Sequence, residues 1–131
     1  FDLFADDLET MYLKKKWKYL MDICWYQFNF FKKCLGFGNK EVVRMSEFAF
    51  EGKKDDLILD HCKKLEATAV VFGSHGKDYV NINKFNNANI LVYYQNYTHP
   101  IYQQRFEGFQ QNMTVLDLLL NYGPEKSREI L

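Results

Sequence analysis

After Ala67 the apolar residues change their spacing, from the 3.6-residue period of a helix to the two-residue period of a strand. This change constrains the chain strongly, because a helix and a strand bury different subsets of the same residues. Upstream of it, Leu13, Trp17, Leu20, Cys24, Phe28, Phe31 and Leu35 follow one another at intervals of 4, 3, 4, 4, 3 and 4. That rhythm puts them on one face and predicts a single long helix over residues 1–35. Asp2, Asp6, Asp7 and Glu9 at its start and Lys32 and Lys33 at its end complement the helix dipole, and Gly36 and Gly38 stop it. A helix of that length, roughly 50 Å, exceeds what a domain of this size needs. It therefore breaks near residues 14–16, or its first half reaches out to a partner. Asn39 is suited to cap a second helix over residues 40–51. Asp55 or Asp56 caps a third, whose buried stripe is Ile58, Cys62 and Leu65.

Downstream, strands are predicted at 68–72, 79–85, 89–96 and 101–107, with Asn86-Asn87 turning the chain between the second and third. A last helix begins near Asn112 or Thr114. Val115, Leu116, Leu118, Leu119 and Leu120 make it apolar nearly all round, and Gly123-Pro124 ends it. The expected fold is α+β: two to three N-terminal helices, the first one long, packed on a four-stranded, mainly antiparallel sheet, with a short C-terminal helix. Residues 1–131 are expected to form one domain, with 1–16 free to extend as a partner-contacting arm. Helices followed by a curved antiparallel sheet resemble, in layout, the cone-shaped fold of nuclear transport factor 2 and Tim44-like proteins. That resemblance implies an interaction surface or an enclosed pocket.

Charge and cysteine content narrow the functional classes. Lys+Arg and Asp+Glu both number 17, so the basic excess of a general nucleic-acid binder is missing. Three cysteines, Cys24, Cys34 and Cys62, form an odd set without a C-x-x-C pair, which points to an intracellular reducing compartment. The sequons at Asn96 and Asn112 point weakly the other way. No uncharged apolar run reaches the ~18 residues of a membrane-spanning helix. The chain opens on Phe1 rather than Met, which suggests a trimmed fragment or a mature form. The basic block Lys14, Lys15, Lys16, Lys18 around Trp17 is suited to a solvated helix face, or to peripheral contact with a membrane.

Residues 56–77, D-L-I-L-D-H-C-K-K-L-E-A-T-A-V-V-F-G-S-H-G-K, resemble the helix–strand–glycine-loop segment of universal stress proteins. The resemblance implies that Gly73, Ser74, Gly76 and Lys77 would meet the phosphates of ATP. In that family the G-x-x-G turn is followed further on by Gly and then Ser or Thr. Asn86 and Asn87 stand at those places here, so the expectation is a connecting turn with no cofactor bound. A Walker-type G-x-x-x-x-G-K-[ST] run is absent. His61 and Cys62 are neighbours on a helix and diverge by about 100°, too far apart in direction to chelate one ion. His75 and His99 are isolated, so no metal site is expected. Asp55, Asp56, Asp60 and Glu107 are the carboxylates available for acid–base work. The first three are already explained by a helix start.

What remains is a surplus of aromatic residues, with twelve Phe, nine Tyr and two Trp. Those of the first helix are spread wider than one stripe, and aromatic residues are enriched in interface cores. The functional expectation is a non-enzymatic structural or accessory subunit of a larger, mitochondrial, protein assembly. Trp17, Trp25, Tyr26 and Phe30 would meet the other subunits. The alternative is a small-ligand or nucleotide-binding α/β domain that uses the loop at 73–77.

Overall fold

The structure, a computed structural model, describes residues 2–131 and divides them into two units, one of residues 2–41 with 99–131 and one of residues 42–98. In the first unit a 3-10 turn, Asp2–Phe4, leads into α1, Ala5–Glu9, and a π-type turn, Thr10–Lys14. The chain then becomes extended at Lys15 and does not re-enter a helix until α2, Leu20–Cys34. The long helix expected over 1–35 is thus broken at the lysine block. Four lysines in five positions repel one another, and Lys15 and Lys18 settle instead over the rings of Trp17 and Tyr19, at 4.2 and 5.0 Å. Gly36 ends α2 as the sequence expects: φ is +76°, and the Phe37 and Gly36 N–H groups donate to the Lys32 and Lys33 carbonyls at 2.8 and 3.0 Å.

Residues 40–51 form only a 3-10 turn, Met45–Glu47, where a second helix was expected. Side chains of the following helix hold the end of the segment by its backbone instead: Asp60 Oδ2 accepts the Glu51 N–H at 2.8 Å, and Lys64 Nζ donates to the Ala49 carbonyl at 2.6 Å. α3, Asp55–Lys64, follows, and then β1, Ala69–Phe72. The strand expected at 79–85 does not form. A 3-10 turn, Ser74–Asp78, gives way to α4, Ile82–Asn87, because the Asn81 side chain accepts the Asn83 N–H at 3.1 Å and caps a helix there. The residue that takes positive φ after α4 is Asn89, not Asn86 or Asn87. β2, Leu91–Tyr94, then lies parallel to β1, pairing Ala69 with Leu91 and Phe72 with Tyr94. Among the described residues the sheet has two parallel strands, so the four-stranded, mainly antiparallel sheet is overturned while the α+β content stands. Residues 101–107 supply no strand; side-chain hydrogen bonds hold them as a loop.

The last element, α5, Val115–Ile130, runs past the expected stop. Gly123 interrupts it with φ 73°, and Pro124 opens the second run from a first-turn position, where it has no N–H to lose. Two apolar cores result. Phe72, Phe85, Ile90 and Cys62 are buried in the 42–98 unit, and the Phe85 ring meets Phe72 edge-on at 5.5 Å. Phe4, Leu35 and Leu119 are buried in the other unit, with Phe30, Phe31 and Cys34 packed around them.

Candidate functional site

The loop between β2 and α5 builds the most complete polar arrangement in the first unit. Gln104 locks it at both ends: its Oε1 accepts the Gln110 N–H at 2.8 Å, and its Nε2 donates to the Gln110 carbonyl at 3.0 Å. Gly108, at φ +85°, lets the chain turn back between them. The same Nε2 donates to Asp117 Oδ2 at 3.1 Å, and the buried Tyr102 hydroxyl donates to that oxygen at 2.9 Å. Asn121 Nδ2 reaches Asp117 Oδ1 at 3.3 Å from one helical turn on. His99, Phe109 and Tyr122 pack around Tyr102. Above this base is an open-mouthed cavity of about 420 Å³, lined by Gln104 to Gln110 on one wall and Met113, Asp117, Leu120 and Asn121 on the other.

Glu107 is the one residue at this place with a case in the sequence. A second legible signal is Asp117, an acid inside the run V-L-D-L-L-L, which the first turn of α5 favours and which partners then hold. The partners themselves, Tyr102 and Gln104, lie 15 and 13 residues away along an irregular loop, which no periodicity reveals.

The other candidate residues fall elsewhere. The segment at 73–77 is a 3-10 turn whose amides serve the turn itself: Gly76 N–H donates to the Gly73 carbonyl at 2.9 Å, and Tyr79 and Val80 N–H donate to the Gly76 carbonyl. Gly76 is buried, and a Cβ there would lie 2.5 Å from that of Phe72, so this glycine answers to packing. Gly73 and Ser74 are exposed on a hollow of about 400 Å³. Lys77 lies over the Tyr94 ring at 5.6 Å, and Tyr93 points to the opposite, exposed face of the sheet. His61 packs against Phe50 at 3.9 Å, and Cys62 is core; burial pushes its thiol up. Among the described residues no group of three or more His, Cys, Asp or Glu is placed to hold a metal ion.

The carboxylates of α3 are structural anchors. Asp55 is nearly enclosed, which alone would raise its pKa, but the Asn81 N–H and the Lys84 ammonium at 3.3 Å outweigh this and hold it below the ordinary value. Asp60 is held low first by the Glu51 N–H at 2.8 Å and then by Lys64 at 2.9 Å. Lys84 also pairs with Asp56 at 2.6 Å. Glu107 alone of the four lines the cavity.

On α2 the expected faces are only partly kept: Phe31 and Leu35 of the expected stripe pack in the core, but other positions change places. Phe30, expected on a partner-facing flank, packs into the core and meets Phe4 edge-on at 6.0 Å. Cys24 and Phe28, expected in the core stripe, are exposed. Trp17 is half-buried, its indole N–H donating to the Met11 carbonyl at 2.7 Å, and it tilts against Tyr26. Trp25 stacks on Phe28 at 5.7 Å. Lys14 pairs with Glu9, while Lys16 is exposed. No α2 residue is fully buried, and Leu20, Met21 and Phe28 are 78%, 59% and 44% exposed.

A family model described as the WbqC-like protein family matches residues 1–129. The chain belongs to this family. Among curated proteins, the WbqC-like chain is 26% identical over 122 residues to the uncharacterized protein Rv1507c of Mycobacterium tuberculosis. The match covers 92% of this chain and 52% of that relative, so the chain spans about half the relative's length. No solved structure matches it. No helix among the described residues is long and apolar enough to cross a membrane.

Proposed function

We propose that this chain is an accessory, protein-binding subunit, and that the outer face of α2 is its docking surface. The observation that carries the reading is the exposure of Leu20, Met21 and Phe28 on a 15-residue helix without one fully buried residue. Leaving large apolar side chains in water forgoes about 1.5–3 kcal/mol for each one that a partner could cover. Lys15, Lys16 and Lys18 border the helix start beside Trp17 and Trp25, around a hollow of about 470 Å³. The complementary partner is a protein surface with an apolar patch edged by carboxylates. This moves the contact from Phe30, which serves the core, to Leu20, Met21 and Phe28, with Trp17, Trp25 and Tyr26 on the rim.

The test is the triple variant Leu20→Ser, Met21→Ser, Phe28→Ser, followed by light scattering and by purification from cells that make the whole assembly. The variant should keep its melting temperature, associate less with itself and leave behind the proteins that accompany the parent chain. Unfolding of the variant, or an unchanged set of accompanying proteins, overturns the reading.

A further inference from the structure

The cavity at residues 104–121 has a charge pattern that protein docking on α2 does not use. Asp117 is a carboxylate with both oxygens engaged: Tyr102 and Gln104 donate to Oδ2, and Asn121 donates to Oδ1. It fixes the base of the site. Three ionic groups line the cavity and none has a protein ion pair; Asp117 is already engaged by neutral hydrogen-bond donors, which leaves one group of each sign, Arg105 and Glu107, with no side-chain partner among the described residues. They flank Phe106 in sequence on the loop that Gln104 closes. Phe106 is 81% exposed, and Met113 and Leu120 are also open to solvent on the same lining.

A guanidinium offers a forked pair of donors to a carboxylate, and a carboxylate accepts from an ammonium. An aromatic ring and two aliphatic side chains beside them give an apolar surface with nothing on it. The volume of about 420 Å³ falls in the range of small-molecule sites, about 300–1,000 Å³. We propose that this cavity binds a small zwitterion with an apolar side chain, of the class of free α-amino acids. The ligand's carboxylate lies at Arg105, its ammonium at Glu107, and its side chain against Phe106, Met113 and Leu120. The hydrogen bonds from Gln104 to the Gln110 backbone fix the ends of the loop that carries both residues, which lowers the backbone part of the ordering cost of binding.

Calorimetry on the whole chain with L-leucine and L-phenylalanine tests the proposal, with 3-phenylpropionate and phenethylamine as single-charge controls. At least one amino acid should bind, and each control should bind roughly tenfold more weakly or worse, since one charge-assisted contact is lost. Arg105→Gln and Glu107→Gln, both on an exposed loop, should each weaken the amino acid by a similar factor without lowering the melting temperature. No heat from either amino acid at millimolar concentration overturns the proposal. So does a control that binds as well as the zwitterion, or affinity untouched by either substitution. Because neither substitution lies on α2, failure here leaves the docking reading standing, and failure there leaves this one.

Discussion

Residues 42–98 bury Cys62, Phe72, Phe85 and Ile90 in one closed cluster, whereas the 15-residue helix α2 of the other unit buries no residue completely. Within 42–98, Val71, Leu91 and Tyr93 stay exposed on the other side of the strands. Both segments are rich in apolar residues. What separates them is the number of elements that converge on a single ring. Phe85 on α4 meets Phe72 of β1 edge-on and shares one buried cluster with Cys62 of α3 and with Ile90, against which Val92 of β2 packs, and it is 0% exposed. α2 has α5 beside it and the start of the chain at its other end, enough to cover Phe30, Phe31 and Cys34 and no more. A helix with apolar residues on two faces needs two surfaces to bury them.

The largest effect should therefore come from the closed unit. Phe85→Ala removes a ring that nothing can replace, and it should cost about 3–5 kcal/mol of unfolding free energy, measured by denaturant titration. A loss under about 1 kcal/mol would mean that this core is not the tight one. Leu119→Ala probes the other core, where Leu119 is 1% exposed between α5 and its neighbours. Its expected cost is about 2–5 kcal/mol, toward the low end because the packing around it is thinner. If it exceeds the Phe85 loss, the contrast between the units is reversed.

How much of this could be read from the sequence follows the same division. Where a local signal and a core agree, the reading holds: α3 forms with Cys62 buried, β1 and β2 fall within the strands expected at 68–72 and 89–96, and Gly36 ends α2. But Lys54, not Asp55 or Asp56, is the residue before α3, Asp55 being turned to Asn81 and Lys84, and Leu65 is exposed. Where a signal is ambiguous, the tertiary partner decides. Residues 79–85 alternate like a strand, but the Asn81 cap and the burial of Phe85 favour a helix. The stripe on α2 has the right period, and its end at Phe31 and Leu35 does reach the core, but Leu20, Cys24 and Phe28 do not. Its phase is set by which residues α5 and α1 can reach, and a period alone carries no such information. The cavity beyond β2 rests on Gln104 and Tyr102 converging on Asp117, and side-chain bonds across a loop leave no rhythm in the sequence.

Acid titration sharpens the contrast from the electrostatic side. The closed unit ties α4 to α3 through Asp55, which accepts the Asn81 N–H and pairs with Lys84. Its native pKa lies below the unfolded one, so its stabilising effect is complete above the unfolded value, about 3.9. That effect is lost as pH falls through the lowered native value. Asp55→Asn should flatten that part of the acid stability curve. A variant with the same acid dependence as the parent would show that the anchor carries no weight.

Thiol chemistry compares the units without altering either. Cys62 sits in the closed core, Cys34 is half-buried and Cys24 is exposed on α2; burial raises the thiol pKa of the first two. Since the thiolate is the reactive form, an alkylating reagent at neutral pH should modify Cys24 first, Cys34 next and Cys62 only on unfolding. All three should react in denaturant. Early modification of Cys62 would mean that the 42–98 unit opens readily, contrary to its packing.

The smallest effect is the most telling, because it lies within one helix. Phe28 and Phe30 are two residues apart and point about 160° away from each other. Phe30 rests against Phe4 and Phe31, at 6.0 and 5.3 Å, beside the buried Leu119. Phe28 is 44% exposed and has the Trp25 ring at 5.7 Å as its stacking partner. Phe28→Ser gives up that stack, about 0.5–1.5 kcal/mol, and the burial of the covered part of the ring, while its exposed part is hydrated in the folded and unfolded chain alike and contributes little. Phe30→Ser places a hydroxyl where a ring filled the core, and its cost should be several times larger. Thermal melts of the two variants decide the phase of α2. Equal losses would mean that both faces are covered within the chain, and the outer face would then have no surface left to offer another protein.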